Sequence, residues 1–349
     1  MPVYERPATA LLETLHGIGV YDLGSMVWLS RKKVESLGFQ HIAVDMLVKE
    51  HYIVESPGYR GLKVYEEEYK NRRFSILYGN DSARADAVVT SKPGNRRILA
   101  SWLEVGDLLP SPPLPMFVID MSMKFVHTEE ELSRLKVQIA VTLSTIREYL
   151  WDMHLAITGV ESESREWINE LLGNNKVTVT VGKPSELLWS MDADKVIILR
   201  PDAPQALTPI DVMSADAFLI GGIVDRIPRP GLSRMLDNLV PWGLPRRIEL
   251  RGSIAGVPER INRIVEIILK ARYKYKGNLE KAIISTMTKK DILSRVYIEV
   301  SRRARRRGSR AIVSWDLYWE LKRWLPLTPD DFKRAAAKAR VELVGGEPS

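Results

Sequence analysis

Between Met116 and Lys276 six short apolar runs alternate with segments of helical period: Met116–Ile119, His154–Thr158, Val177–Val181, Val196–Leu199, Ala217–Val224 and Ile248–Leu250. Most of these runs are apolar on both faces, as strands must be when helices cover both sides of a parallel sheet. The intervening segments carry helix signals of their own. Thr128 with Glu131 forms a capping box that opens a segment to Tyr149, along which Leu132, Leu135, Ile139, Leu143 and Ile146 recur on one face. A repeated βα pattern of this kind predicts an α/β domain built on a parallel sheet.

The run Leu109-Pro110-Ser111-Pro112-Pro113-Leu114-Pro115 cannot continue a helix or a central strand, because its four prolines fix φ and remove donors. It predicts a linker, and with it three regions: 1–112, a small α+β unit; 113–285, the α/β domain; 286–349, a basic helical unit. In the first region the pattern predicts helices over Arg31–Leu37 and His41–Lys49, then a hairpin of His51–Glu55 and Gly61–Tyr65 about Pro57-Gly58. The last region reads as helices over Asp291–Leu343, broken by the run from Ser301 to Arg310.

Charge is uneven along the chain. From Thr286 to Ser349 there are 15 Lys/Arg against 8 Asp/Glu, an excess equal to the net +7 of all 349 residues. A basic module on an otherwise neutral chain predicts a polyanionic partner. No apolar stretch reaches eighteen residues and the start has no secretory pattern, so no membrane role and a cytoplasmic location are expected. With no cysteine, disulfides, thiolate metal sites and cysteine nucleophiles are excluded. His16, His41, His51, His127 and His154 lack metal-ligand spacing, so no metal is expected.

Ligands of parallel α/β sheets bind beyond the carboxyl ends of the strands. The first strand ends Asp120-Met121-Ser122-Met123 without the glycine turn of a dinucleotide site, and Gly182-Lys183 lacks the upstream glycine of a phosphate loop. Glycine concentrates instead after the fifth strand, as Gly221-Gly222-Ile223-Val224-Asp225-Arg226, and after the sixth, as Arg251-Gly252-Ser253-Ile254-Ala255-Gly256-Val257. Together with Leu199-Arg200-Pro201-Asp202-Ala203, Leu244-Pro245, the segment Asn262–Leu269 and Gly277-Asn278-Leu279-Glu280-Lys281-Ala282, this order resembles the archaeal tRNA position-9 N1-purine methyltransferases of the SPOUT class. The resemblance spans about Met116 to Lys290.

The resemblance implies a trefoil-knotted fold that binds S-adenosyl-L-methionine between three late loops, and a monomer acting on tRNA. Carried over position by position, it implies cofactor contacts at Leu199, Pro201, Gly221, Gly222, Ile248, Ser253, Ile254, Gly256 and Val257, with Asp225 as the catalytic carboxylate. Many relatives follow that aspartate with a basic residue, asparagine and a second basic residue. Here Arg226-Ile227-Pro228-Arg229 stands instead, so the contacts of that loop do not carry over. Around the expected pocket Arg226, Arg229, Arg234, Arg246 and Arg247, and at longer range Arg302, Arg303, Arg305, Arg306 and Arg307, are expected to hold tRNA phosphates. Trp315, Tyr318, Trp319 and Trp324 follow near-helical spacing, which predicts core packing rather than base stacking. Archaeal relatives include adenine-specific and dual enzymes, so adenine is the expected target. Guanine or both purines, a non-catalytic RNA-binding protein of the same fold, and a ribosomal RNA or 2′-hydroxyl target are the alternatives.

Overall fold

A computed structural model describes residues 3–56, 58–123, 128–223, 232–308 and 310–346. In chain order the first part comprises α1 (Pro7–Ile18), β1 (Asp22–Ser25), α2 (Arg31–Leu37), α3 (Phe39–Lys49), β2 (Tyr52–Glu55), β3 (Arg60–Tyr69), β4 (Arg72–Arg84), β5 (Ala87–Thr90), β6 (Ile98–Ser101) and α4 (Trp102–Gly106). The six strands form one mixed sheet in the order β3-β4-β1-β5-β2-β6. The expected hairpin of the second and third strands is therefore wrong. β3 pairs instead with β4, across a turn whose Lys70 and Asn71 both have positive φ, and β2 lies between β5 and β6. Two consecutive left-handed residues match the twist of a hairpin, so this turn decided the pairing.

The middle part contains β7 (Met116–Asp120), α5 (Glu129–Ile146), β8 (Leu155–Thr158), α6 (Ser162–Leu172), β9 (Thr178–Val179), α7 (Pro184–Ser190), β10 (Val196–Leu199), α8 (Pro209–Ser214), β11 (Ala217–Gly221), β12 (Leu244–Arg246) and α9 (Ile261–Leu269). Its sheet runs β12-β10-β11-β7-β8-β9, and every neighbouring pair is parallel. β7, β8, β10 and most of β11 are buried on both faces, as the apolar runs predicted. Two cores result, one on each side of the sheet: α5 and α9 press Leu135, Ile139, Val265 and Ile268 onto Phe117 and Phe218, while Leu188, Leu236 and Val240 cover Val118, Ile198 and Leu219. Helix α5 opens on the expected Thr128–Glu131 capping box.

The sixth strand is displaced from its expected position. It is Leu244–Arg246, paired with Ile197–Leu199, and Ile248–Leu250 lies beyond it. At the edge of the sheet Pro245 sacrifices no ladder hydrogen bond, which is why a strand can form there despite the proline. Past it the chain reverses tightly: Arg251 and Gly252 have φ of 50° and 75°, and Leu250 and Ser253 exchange backbone hydrogen bonds.

The last part is α10 (Leu279–Thr286), α11 (Lys289–Arg303), β13 (Arg305–Arg307), β14 (Arg310–Ser314), α12 (Asp316–Lys322), α13 (Pro329–Ala339) and β15 (Glu342–Val344). It is not purely helical, because β13, β14 and β15 form a three-stranded sheet. The basic run is the end of α11 followed by a strand. Strands suit it because alternate side chains of β13 can project outward into solvent. Trp315 and Tyr318 pack with Phe332 in this part's core and partly buried Trp324 packs against it, as expected, whereas Trp319 is half exposed; the Trp324 ring also meets the guanidinium groups of Arg251 and Arg295.

Side-chain ties join these parts. Gln40 accepts from the Ala8 amide and donates to the carbonyls of Leu150 and Arg147, and Glu5 accepts from Arg272 and Tyr273. Immediately before β8, wholly buried His154 donates its Nδ1 proton to the Pro115 carbonyl, 3.0 Å away. Burial pushes the imidazole down from 6.5 to about 4. As pH falls, the unfolded chain takes up this proton first, so the group's contribution to stability is complete above 6.5 and declines towards about 4. We expect a loss of about 1.4 kcal/mol per pH unit across that window. Chemical denaturation over the window, compared with His154→Gln, checks it; parallel curves would refute the assignment.

Candidate active site

Three loops leave the carboxyl ends of β10, β11 and β12 side by side, because β11 and β12 flank β10 in register. At the end of β11 backbone proximity is forced. The Gly222 amide donates to the Asp120 carbonyl at 2.7 Å, and a Cβ on Gly222 would stand 2.8 Å from that oxygen and from the Met121 sulfur. Gly221 stands opposite Asp120 in the ladder, and its Cβ would meet Ile223 and Leu236 at 3.1 and 3.3 Å. Only glycine fits the first position without displacing backbone. Asp120 is fixed below them by the Thr158 hydroxyl and the Ser122 amide.

The loop after β10 is held by a charge network. Arg200, almost wholly buried, forks onto Asp237 and also reaches Asp202, which Arg234 engages from outside at 2.7 Å. Burial alone would weaken the Arg200 charge; Asp202 and Asp237 outweigh it and hold its pKa above the ordinary value. Arg246 donates to Asp211 at 3.0 Å. There burial works to raise the carboxyl, and hydrogen bonds from Thr208 and Arg246 hold it below the usual carboxylate range. Arg247 donates to Glu249 and to the carbonyls of Ala203 and Pro204. Arg246 thus ties β12 to α8 and Arg247 ties the residue after β12 to the loop after β10, and both guanidinium groups are engaged within the protein. Arg234 remains largely exposed while it pairs with Asp202.

The third loop has an unexpected keeper. Arg295 of α11, only 2% exposed, points its Nη1 at the carbonyls of Leu250, Ser253 and Ala255, at 2.8, 3.5 and 3.3 Å, and pairs through Nη2 with Glu299 at 3.0 Å. Gly256, with φ of 74°, lies so close under α11 that a Cβ would meet the Asp291 carbonyl oxygen at 2.6 Å. No sequence motif marks Arg295; it occupies a helix position like any other, and only the packing reveals its role.

Leu199 and Val257 are buried, Ile248 is partly buried against the core, Ser253 and Gly256 are partly exposed, and Pro201 and Ile254 are exposed at the loop surfaces. The structure thus gathers these residues on three adjacent loops. Asp225, Arg226 and Arg229 lie outside the described residues. Arg302, Arg303, Arg305 and Arg306 sit at the end of α11 and on β13, where Arg303 pairs with Glu320. Arg307 belongs to the same strand. Apolar side chains and glycine backbone at the ends of three adjacent strands make a surface suited to a nucleoside with a short amino-acid tail, which is the chemistry of S-adenosylmethionine.

A family described as tRNA (guanine(9)-N(1))-methyltransferase TRM10/TRM10A matches residues 111–234. The tRNA (adenine(9)-N1)-methyltransferase of Sulfolobus acidocaldarius is 30% identical over 270 residues, 76% of this chain and 81% of that protein. The tRNA (guanine(9)-/adenine(9)-N1)-methyltransferase of Thermococcus kodakarensis is 30% identical over 230 residues, 63% of this chain and 61% of its own. The crystal structure of Sulfolobus acidocaldarius Trm10 in complex with S-adenosylhomocysteine superposes with a TM-score of 0.67 at 22% identity, covering 96% of this chain and 99% of that one. The parallel sheet with its three late loops is therefore the fold of a SPOUT-class methyltransferase. The chain belongs to the Trm10 family of tRNA position-9 N1-purine methyltransferases.

Proposed function

We propose that this protein transfers a methyl group from S-adenosylmethionine to N1 of the purine at position 9 of tRNA, with adenine as its target. The observation that carries this reading is the 30% identity along 81% of an adenine-9 enzyme. Similarity to a dual-specificity enzyme favours guanine as a second substrate.

When bound, S-adenosylmethionine supplies an electrophilic methyl group on a positively charged sulfur. The chain's own task is alignment in a pocket from which water is excluded. Gly221 and Gly222 let the end of β11 lie close against its neighbours, Arg246 fixes α8, Arg247 fixes the loop after β10, and Arg295 fixes the loop Ser253–Val257. N1 of adenine presents a lone pair, and methylation places a positive charge on the ring. Asp225, proposed from its sequence position, accepts a hydrogen bond from the N6 amino group and offsets that charge. N1 of guanine carries a proton, which the same carboxylate removes. Position 9 is buried in folded tRNA, so the base must turn out into the pocket while arginines hold the flanking backbone. Arg234 and the Arg302–Arg307 run are suited to that role; Arg226 and Arg229 belong to the same proposal from sequence alone.

Two further parts of this reading come from the family resemblance: a trefoil knot through the late loops and action as a monomer. Among the described residues no helix is long and apolar enough to cross a membrane; a cytoplasmic location belongs to the same proposal.

Incubation with S-adenosylmethionine and two tRNA transcripts, differing only in A or G at position 9, tests the proposal. Mass spectrometry of the digested nucleosides should find 1-methyladenosine from the A9 transcript. No 1-methylpurine on either transcript, from protein shown to bind the cofactor, would overturn it.

A further inference from the structure

Between the Arg251-Gly252 turn and helices α11 and α12 lies a cavity of about 320 Å³, lined by Arg251, Arg295, Glu299, Arg302, Arg303, Glu320, Leu321 and Trp324. Four guanidinium groups face two carboxylates, and those carboxylates are committed: Glu299 to Arg295 and Arg303, Glu320 to Arg303. Arg302 has no ion-pair partner among the described residues, and Arg251 is held by an exposed pair with Glu280. An exposed pair contributes little and is readily exchanged for a stronger acceptor. The cavity therefore carries two positive charges beyond what its own carboxylates balance.

A second observation points the same way. Arg295 forms part of the cavity wall, and its Nε is buried with no hydrogen-bond partner among the described residues. The guanidinium is also crowded: burial lowers its pKa, Glu299 opposes this, and the charges of Arg302 and Arg251 lower it further. Trp324 lies 4.5 Å from the Arg251 guanidinium and 5.3 Å from that of Arg295, measured to the ring centroid. The ring supports the cations with its π-face and is thereby taken up by them, which argues against base stacking here. A site of forked donors with no free aromatic face suits a phosphate group.

We propose that this cavity binds a backbone phosphate of the substrate tRNA, gripped by Arg251 and Arg302, close to the loop that holds the cofactor. The identity of the polyanion rests on the function proposed above. Arg295 touches both sides of the arrangement: it forms part of the cavity wall and donates to the carbonyls of Leu250, Ser253 and Ala255. The backbone grip and the cofactor loop are thus parts of one packed unit. This also distinguishes the cavity from the remainder of the arginine run, whose residues on β13 lie outside it.

The test measures tRNA affinity of the full-length protein against salt concentration for the parent, Arg302→Ala, Arg251→Ala and the double variant, with melting curves to verify folding. Arg165→Ala, an exposed position outside the cavity, serves as the control. Each cavity substitution should weaken binding about tenfold at low salt, the lower end for a hydrogen bond to a charged group. If both arginines grip the phosphate, the double variant should lower the slope of log affinity against log salt by about 1 relative to the parent. Equal losses in Arg165→Ala would reveal diffuse attraction and overturn the site, as would unchanged slopes in folded cavity variants. Methylation by the parent is scored in parallel. Unchanged slopes beside 1-methylpurine formation sink this inference alone, whereas reduced slopes without any 1-methylpurine sink the proposed function and leave the phosphate site standing.

Discussion

Arg295→Met should destabilise the protein by about 3–5 kcal/mol, the cost of breaking a buried ion pair from one side. The substitution preserves bulk while removing every donor, so Glu299 is left buried with only the distant Arg303, 3.8 Å away. It also strips the carbonyls of Leu250, Ser253 and Ala255 of their shared donor. These are separate consequences, and a double variant separates them. Arg295→Met with Glu299→Met replaces the pair by apolar groups, which buried pairs often tolerate at little cost. Stability should therefore largely return. Cofactor affinity should not, because the loop Ser253–Val257 still lacks its anchor. Chemical denaturation and calorimetric titration with S-adenosylmethionine read the two effects. Recovery of both in the double variant would show that the loop is held by other means.

How much of this was legible beforehand depended on whether a signal was local. β7, β8, β10 and β11 are apolar on both faces, so periodicity alone located them, and the Thr128–Glu131 box located the start of α5. β12 was misplaced because a proline argues against a strand, and nothing local says that Leu244–Arg246 lies at an edge where Pro245 is harmless. β4 runs thirteen residues, but Gly79-Asn80-Asp81-Ser82 interrupts its apolar pattern, and its parallel partner β1 is about fifty residues distant in the chain. β13 consists of three arginines and carries no apolar alternation; its partner β14 supplies the fold that its own sequence conceals.

The site divides in the same manner. Gly221 and Gly222 could be read because a missing side chain at a strand end implies close approach, and the 2.8 Å that would separate a Gly222 Cβ from the Asp120 oxygen is the physical content of that signal. Arg246 and Arg247 were read as phosphate ligands because position near the pocket is visible in sequence, whereas their engagement by Asp211, Glu249 and two carbonyls is not. Arg295 went unnoticed for the converse reason. It lies forty residues or more from each carbonyl it holds, so only the folded chain shows their association.

Asp225→Asn should separate the two purines kinetically. With guanine at position 9 the reaction needs the N1 proton removed, and loss of a general base typically costs 10²–10⁴-fold, so turnover should fall by about that factor. With adenine the lone pair is already available, and the amide can still accept from N6; what is lost is the negative charge opposite the developing positive ring. That electrostatic contribution should cost less, about tenfold to a hundredfold, given that single hydrogen bonds to charged groups contribute roughly 1.5–3 kcal/mol. Single-turnover methylation of the A9 and G9 transcripts, with tRNA affinity measured alongside, makes the comparison. Where the parent accepts both, the A9 to G9 rate ratio should rise in the variant while tRNA affinity holds. Equal losses on both transcripts would assign Asp225 an electrostatic role alone, and a parallel fall in affinity would make it a binding group rather than a catalytic one.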